Sequence, residues 1–153
     1  KWVARLNVAI SEAKRTTRAN NIVLAGYSGG GVLAALIAAR RDDVSKLITV
    51  AAPLDHAAWT THHRVSPLTG SLNALAVREK LFRLPQIHVV GDEDKVVPPV
   101  LLQDFLRAYP TDAPAELVIL SGIDHRMRTA IDLSRIRSSR LPLPSIDGRD
   151  TYP

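Results

Sequence analysis

The chain has 153 residues, about one domain's worth, and its 46% hydrophobic and 23% charged content is that of a globular protein rather than of a disordered, collagenous or coiled-coil chain. It contains no cysteine, which excludes disulfide frameworks, CxxC redox motifs and cysteine-held zinc; no run of about 18 apolar residues predicts a membrane span, and no signal-peptide pattern is present. The net charge of +5 is scattered over pairs such as Lys14-Arg15 and Arg40-Arg41 and over Arg135, Arg137, Arg140 and Arg149 near the end, with no interleaved aromatic residues to stack bases, so it predicts solubility and no nucleic-acid partner.

Trp2, Val3, Leu6, Ile10 and Ala13 recur at helical spacing among Arg and Lys, which predicts an amphipathic surface helix over residues 2–18. Ile22 to Ala25 is a short apolar, partly β-branched run closed by glycines, a strand signal, and Val32 to Ala39 follows as an Ala/Leu-rich helix. Leu47 to Val50 is a second strand, ending at Pro53. The connection from Ala51 to Leu84 is long for a compact domain and carries a helical stretch around Leu72 to Phe82; loops of this length are commonly functional. Ile87 to Val90 forms a third strand, and Pro98-Pro99 opens a helix through Ala108, since a proline at the first turn gives up an N–H that has no partner there. Leu117 to Leu120 is a fourth strand, followed by a last helix over about 127–136. Beyond Ser138 the chain has no period, and Pro142, Pro144 and Pro153 predict an extended or flexible tail over 138–153.

Continuous apolar strands separated by helices describe an α/β architecture, a mostly parallel sheet of about four strands with helices on both faces. Right-handed crossovers place such strands in order, and sites form at their carboxyl ends. The strongest motif stands at the first of these ends. Gly26-Tyr27-Ser28-Gly29-Gly30 fits G-x-S-x-G; three fixed positions match by chance in about one chain in twenty of this length, so the setting between a strand and a helix carries the weight. There a serine is forced into a sparsely populated backbone conformation that lifts its hydroxyl clear of the sheet. Glycines at 26 and 30 are expected because the chain passes close to itself, and the helix that follows points its positive end at the site.

A serine hydroxyl needs a base, and the base an orienting acid. The third strand is followed by Gly91-Asp92-Glu93-Asp94-Lys95-Val96-Val97-Pro98 and the fourth by Ser121-Gly122-Ile123-Asp124-His125, giving the order Ser, Asp, His. In these three motifs the chain resembles the α/β-hydrolase fold, over about residues 2–136, and is similar to its esterase and lipase-like members. The resemblance implies Ser28 as nucleophile, Asp94 as acid and His125 as base in a serine hydrolase cleaving carboxylic esters through an acyl-enzyme, with the backbone N–H of Gly29 in the oxyanion hole. Asp92, two residues from Asp94, and Asp55, after the second strand, remain alternative acids, with Asp92 better suited to shaping the loop. His88 falls within a strand and is expected in the core.

The family commonly inserts a cap where this chain has 51–84, and Tyr27, Trp59, Leu68 and Leu72 are candidates for an apolar substrate wall. His56, His62 and His63 with Asp55 lie in the long connection without the spacing of a helical zinc site, so no metal is expected, nor any other cofactor. The family's second oxyanion donor comes from a loop that would precede Lys1, as would its first strands. Lys1 in place of Met therefore reads as a cut end, residues 1–137 as a partial hydrolase core, and the first strand as an exposed edge open to self-association. The alternative function is a non-catalytic hydrolase-like module that binds or assembles through that edge.

Overall fold

The structure is a computed structural model that describes residues 2–127; the expected last helix, over about 127–136, lies outside the described residues past its first position, as does the tail over 138–153. The elements in chain order are α1 (Trp2–Thr17), β1 (Ile22–Tyr27), α2 (Gly29–Ala38), β2 (Val44–Val50), α3 (His56–His63), a 3₁₀ helix (Ala74–Leu81), β3 (Gln86–Gly91), α4 (Pro99–Leu106) and β4 (Ala115–Leu120). The four strands form one parallel sheet in the order β1-β2-β3-β4. This is the α/β architecture expected from the alternation of apolar runs and helical stretches.

One face of the sheet carries the larger core, in which Ala34, Ala35 and Ala38 of α2 meet Leu47 of β2, Leu81, and Leu102 and Phe105 of α4. Leu47, Leu54, Leu81, Ile87 and Leu102 are at most 1% exposed, and burying a side chain of this size contributes about 1.5–3 kcal/mol. The small residues of α2 let its backbone lie close on the strands. A Cβ on Gly31 would stand 2.5 Å from the Ala52 Cβ and 3.0 Å from the Gly26 carbonyl oxygen. The other face holds a second cluster, Ile87, Val89 and Leu120 with Val50, Val118 and Ile123.

Burial on both faces, expected of every strand, holds for β3, whose residues are all buried. It fails for β1, where half-buried and exposed residues alternate from Ile22 to Tyr27. Ile22 and Leu24 pack toward the larger core, which leaves Val23, Ala25 and Tyr27 on the opposite, open side. An apolar run marks a strand without saying how much of it is covered.

The connection between β2 and β3 holds more structure than expected. Residues 56–63 form a helix where an irregular loop was expected, because Asp55 caps them: its Oδ1 accepts from the backbone N–H of Ala57 at 3.0 Å and Ala58 at 3.2 Å, satisfying two of the unpaired donors at a helix start. The same oxygen accepts from the Asn73 side-chain amide at 3.0 Å. Asp55 is therefore a structural cap.

Candidate active site

The turn between β1 and α2 places Ser28 at φ 49° and ψ −124°, a conformation that costs a non-glycine residue of order 1–3 kcal/mol. The Ser28 N–H holds the turn by donating to the Val50 carbonyl at 2.8 Å. Gly26 is obligatory, since a Cβ there would stand 2.3 Å from the Gly30 carbonyl oxygen. The expected need for a bare Gly30 is corrected: a Cβ at Gly30 would meet nothing within 4 Å, and the crowded partner is Gly31. Gly29 is the first residue of α2, and the first N–H groups of a helix have no partner within it, so its N–H is available to an anion beside Ser28.

Ser28 Oγ lies 3.3 Å from His125 Nε2, and His125 Nδ1 lies 2.9 Å from Asp94 Oδ2. A carboxylate only accepts hydrogen bonds, so the proton sits on Nδ1 and leaves Nε2 free to accept from the serine hydroxyl. The Asp94 side chain is fully buried and that of His125 is 19% exposed. Asp94 Oδ1 accepts from the backbone N–H of Val96 at 2.9 Å and of Val97 at 2.7 Å, which fixes the carboxylate and points its other oxygen at the imidazole. Asp92 Oδ1 instead accepts from the Gly122 N–H at 2.7 Å. Of the three aspartates considered as the acid, only Asp94 meets His125.

The histidine loop is seated on the end of β3. The backbone N–H of Asp92 donates to the Leu120 carbonyl at 2.9 Å and that of Glu93 to the Ile123 carbonyl at 3.1 Å. Gly91 lies so close below that a Cβ there would stand 1.8 Å from the Ile123 carbonyl oxygen. No side chain fits at this crossing, so the glycine is as constrained as any in the G-x-S-x-G turn.

Trp59 serves the acid loop. Its Nε1 donates to the Val96 carbonyl at 2.7 Å, and His63 Nε2 lies 2.8 Å from the same oxygen, so α3 grips the residue whose N–H holds Asp94. This second use of α3 was not legible in the sequence because the helix itself was not. Leu68 and Leu72 are 46% and 54% exposed. Tyr27 is brought to His125, with its ring centroid 5.5 Å from the imidazole. A groove of about 950 Å³ opens on the acid and histidine side, between His62 and the loop from Asp92 to Pro99, with Asp124, His125 and Arg126 on its far wall. Among the described residues, no group of three or more His, Asp or Glu converges as a metal site would.

Below the site, His88 is fully buried, and its Nδ1 pairs with Thr49 Oγ1 at 2.7 Å. Its Nε2 has no partner among the described residues. Burial pushes the imidazole down to about 4, so it is neutral at ordinary pH and belongs to the core, as its position in the strand predicted.

No protein-family model matches the chain, and no curated protein is found similar to it. Solved structures are. A serine hydrolase homologue from Coxiella burnetii is 26% identical with a TM-score of 0.59, over 80% of this chain and 50% of its own. The esterase domain of a Rhodothermus marinus protein is 21% identical with a TM-score of 0.55, over 70% of this chain and 52% of its own. Est1E from Butyrivibrio proteoclasticus is 21% identical with a TM-score of 0.69, over 87% of this chain and 64% of its own. The chain thus spans about half the length of the first two.

Proposed function

From the α/β-hydrolase fold that the chain shares with these neighbours, we propose that it carries the catalytic residues of a serine hydrolase acting on carboxylic esters. Ser28 Oγ attacks the ester carbonyl while His125 Nε2 takes its proton. The imidazolium, held by Asp94, then gives that proton to the leaving alcohol, so that an acyl group remains on Ser28. Water enters, the same histidine deprotonates it, and the acid is released with Ser28 restored. The Gly29 N–H donates to the oxyanion in both steps. The observation that carries this reading is the hydrogen-bonded series from Ser28 through His125 to Asp94, gathered from three strand ends.

Hydrolysis of p-nitrophenyl acetate and labelling by a fluorophosphonate test the reading. One covalent label per chain is expected, on Ser28, and Ser28→Ala is expected to abolish labelling and lower kcat by about 10⁴- to 10⁶-fold. Turnover that survives this substitution unchanged overturns the assignment.

One observation favours a second reading, a module that assembles through β1. This strand ends the sheet among the described residues, and its Val23 is 38% exposed; an unpaired strand edge invites pairing with another. A chain that elutes as a dimer and takes up no label supports it, and a labelled monomer refutes it.

A further inference from the structure

The sheet order sets a geometric problem for the site. Ser28 follows β1 at one end of the sheet and His125 follows β4 at the other, three inter-strand steps of about 4.8 Å away. The histidine loop must lean back across β2 and β3 for Nε2 to reach Oγ. Its hydrogen bonds to Asp92, Glu93 and Asp94 anchor it only as far as the end of β3. The remaining two steps, to β1, are bridged among the described residues by one side chain besides Ser28 itself. Tyr27 donates its hydroxyl proton to the backbone carbonyl of His125 at 2.7 Å. Its ring lies against the imidazole at 5.5 Å between centroids, tilted by 38°.

We propose that Tyr27 is a positioning residue that draws the His125 loop onto the β1 end of the sheet and holds the imidazole face, so that Nε2 stays within reach of Ser28. The inference rests on the hydrolase reading for its kinetic expression, though the tether itself does not depend on it. Strand geometry explains why this residue can do it. Side chains alternate along a strand, so while Gly26 is pressed against α2, Tyr27 emerges on the opposite face, where Val118 and Ile123 of the β4 side pack. Tyr27 is 47% exposed, so it contributes little to the core, and its side chain is directed to His125. Because the hydroxyl binds a backbone carbonyl, it fixes where the loop stands and leaves both imidazole nitrogens to Asp94 and Ser28.

Tyr27→Phe keeps the ring contact and removes only the hydrogen bond. It is expected to lower kcat about tenfold, of the order of one hydrogen bond's contribution, with KM changed less than about twofold and the melting temperature unmoved. The factor is expected to be the same for p-nitrophenyl acetate and p-nitrophenyl octanoate and for the rate of fluorophosphonate labelling. Tyr27→Leu, which loses the ring as well, is expected to fall further. A second readout needs no turnover: the downfield proton resonance of His125 Nδ1–H, assigned by its absence in His125→Ala, should broaden or vanish in Tyr27→Phe. An unchanged kcat with an unchanged resonance overturns the proposal. So does a loss that lies in KM and varies with acyl length, which would make Tyr27 a substrate wall. If the unsubstituted chain neither turns over nor labels, the hydrolase reading fails, and the resonance alone decides whether Tyr27 positions His125.

Discussion

Two aspartates, one at each end of the sheet, are satisfied in opposite ways. Asp43, at the amino end just before β2, gives both oxygens to cations. Arg41 donates from Nε and Nη2 at 2.8 Å each, and Lys14 donates from Nζ at 2.7 Å. The Arg41 hydrogen bond first, and that of Lys14 second, hold its carboxyl well below the usual carboxylate range. The cluster ties α1 to the turn before β2, with Arg41 also reaching Asn7 and Ser11, and leaves the carboxylate nothing further to do. Asp94, at the carboxyl end, is held through one oxygen by two backbone N–H groups, and its other oxygen meets the imidazole of His125. Charge fully met by charge gives local stability, whereas in the proposed reaction a charge met by dipoles is the one left to stabilise an imidazolium.

The same substitution at both sites tests this contrast. Asp94→Asn keeps the shape and removes the charge, and kcat is expected to fall about 10³- to 10⁴-fold with the melting temperature changed by no more than a few degrees. Restoration of more than a tenth of the activity would show that His125 needs no acid. Between the two ends lies His88, neutral within the core. Its folded-state pKa of about 4 is below that of an unfolded histidine, near 6.5, so the unfolded chain binds the extra proton. Stability from this group is complete above about pH 6.5 and lost as the pH falls toward 4, by about 3 kcal/mol in all. Urea unfolding at pH 7 and pH 4.5 should show this slope in the unsubstituted chain and a shallower one in His88→Gln; equal slopes would refute it. The smallest effect is expected at Asp43. Its carboxyl is depressed, so its contribution is present above about pH 4 and lost on further acidification. The pair is partly solvated, and Asp43→Asn should cost about 1 kcal/mol, a shift of a few degrees in melting temperature with kcat unaltered. An activity loss there would break the division between the two ends.

The strands, and the residues just past their carboxyl ends, were legible in the sequence. Apolar runs at 22–25, 47–50, 87–90 and 117–120 mark each of the four strands among the described residues, because each strand packs at least one face on a core. Ser28, Asp94 and His125, which the structure brings into one hydrogen-bonded series, each follow such a run. What escaped depended on contacts far apart in the chain. α3 was hidden because its residues, His-Ala-Ala-Trp-Thr-Thr-His-His, have no clear apolar stripe, and its start is fixed by the side chain of Asp55. The bond of Tyr27 to residue 125, 98 residues on, leaves no mark in the sequence around the serine. The half-cover of β1 and the crowding at Gly31 rather than Gly30 are likewise matters of what lies alongside, which no local pattern records.

The crossing of Ile123 over Gly91 has a consequence for engineering the chain. With no room for even one methyl group between them, the segment from Leu120 to His125 cannot be lengthened or slid along β4 without lifting the histidine off its seat. A one-residue insertion there should be far more damaging than one in the exposed stretch from Arg64 to Leu72. Changes of length are therefore best confined to that outer stretch, with the two crossed loops kept as a single fixed part.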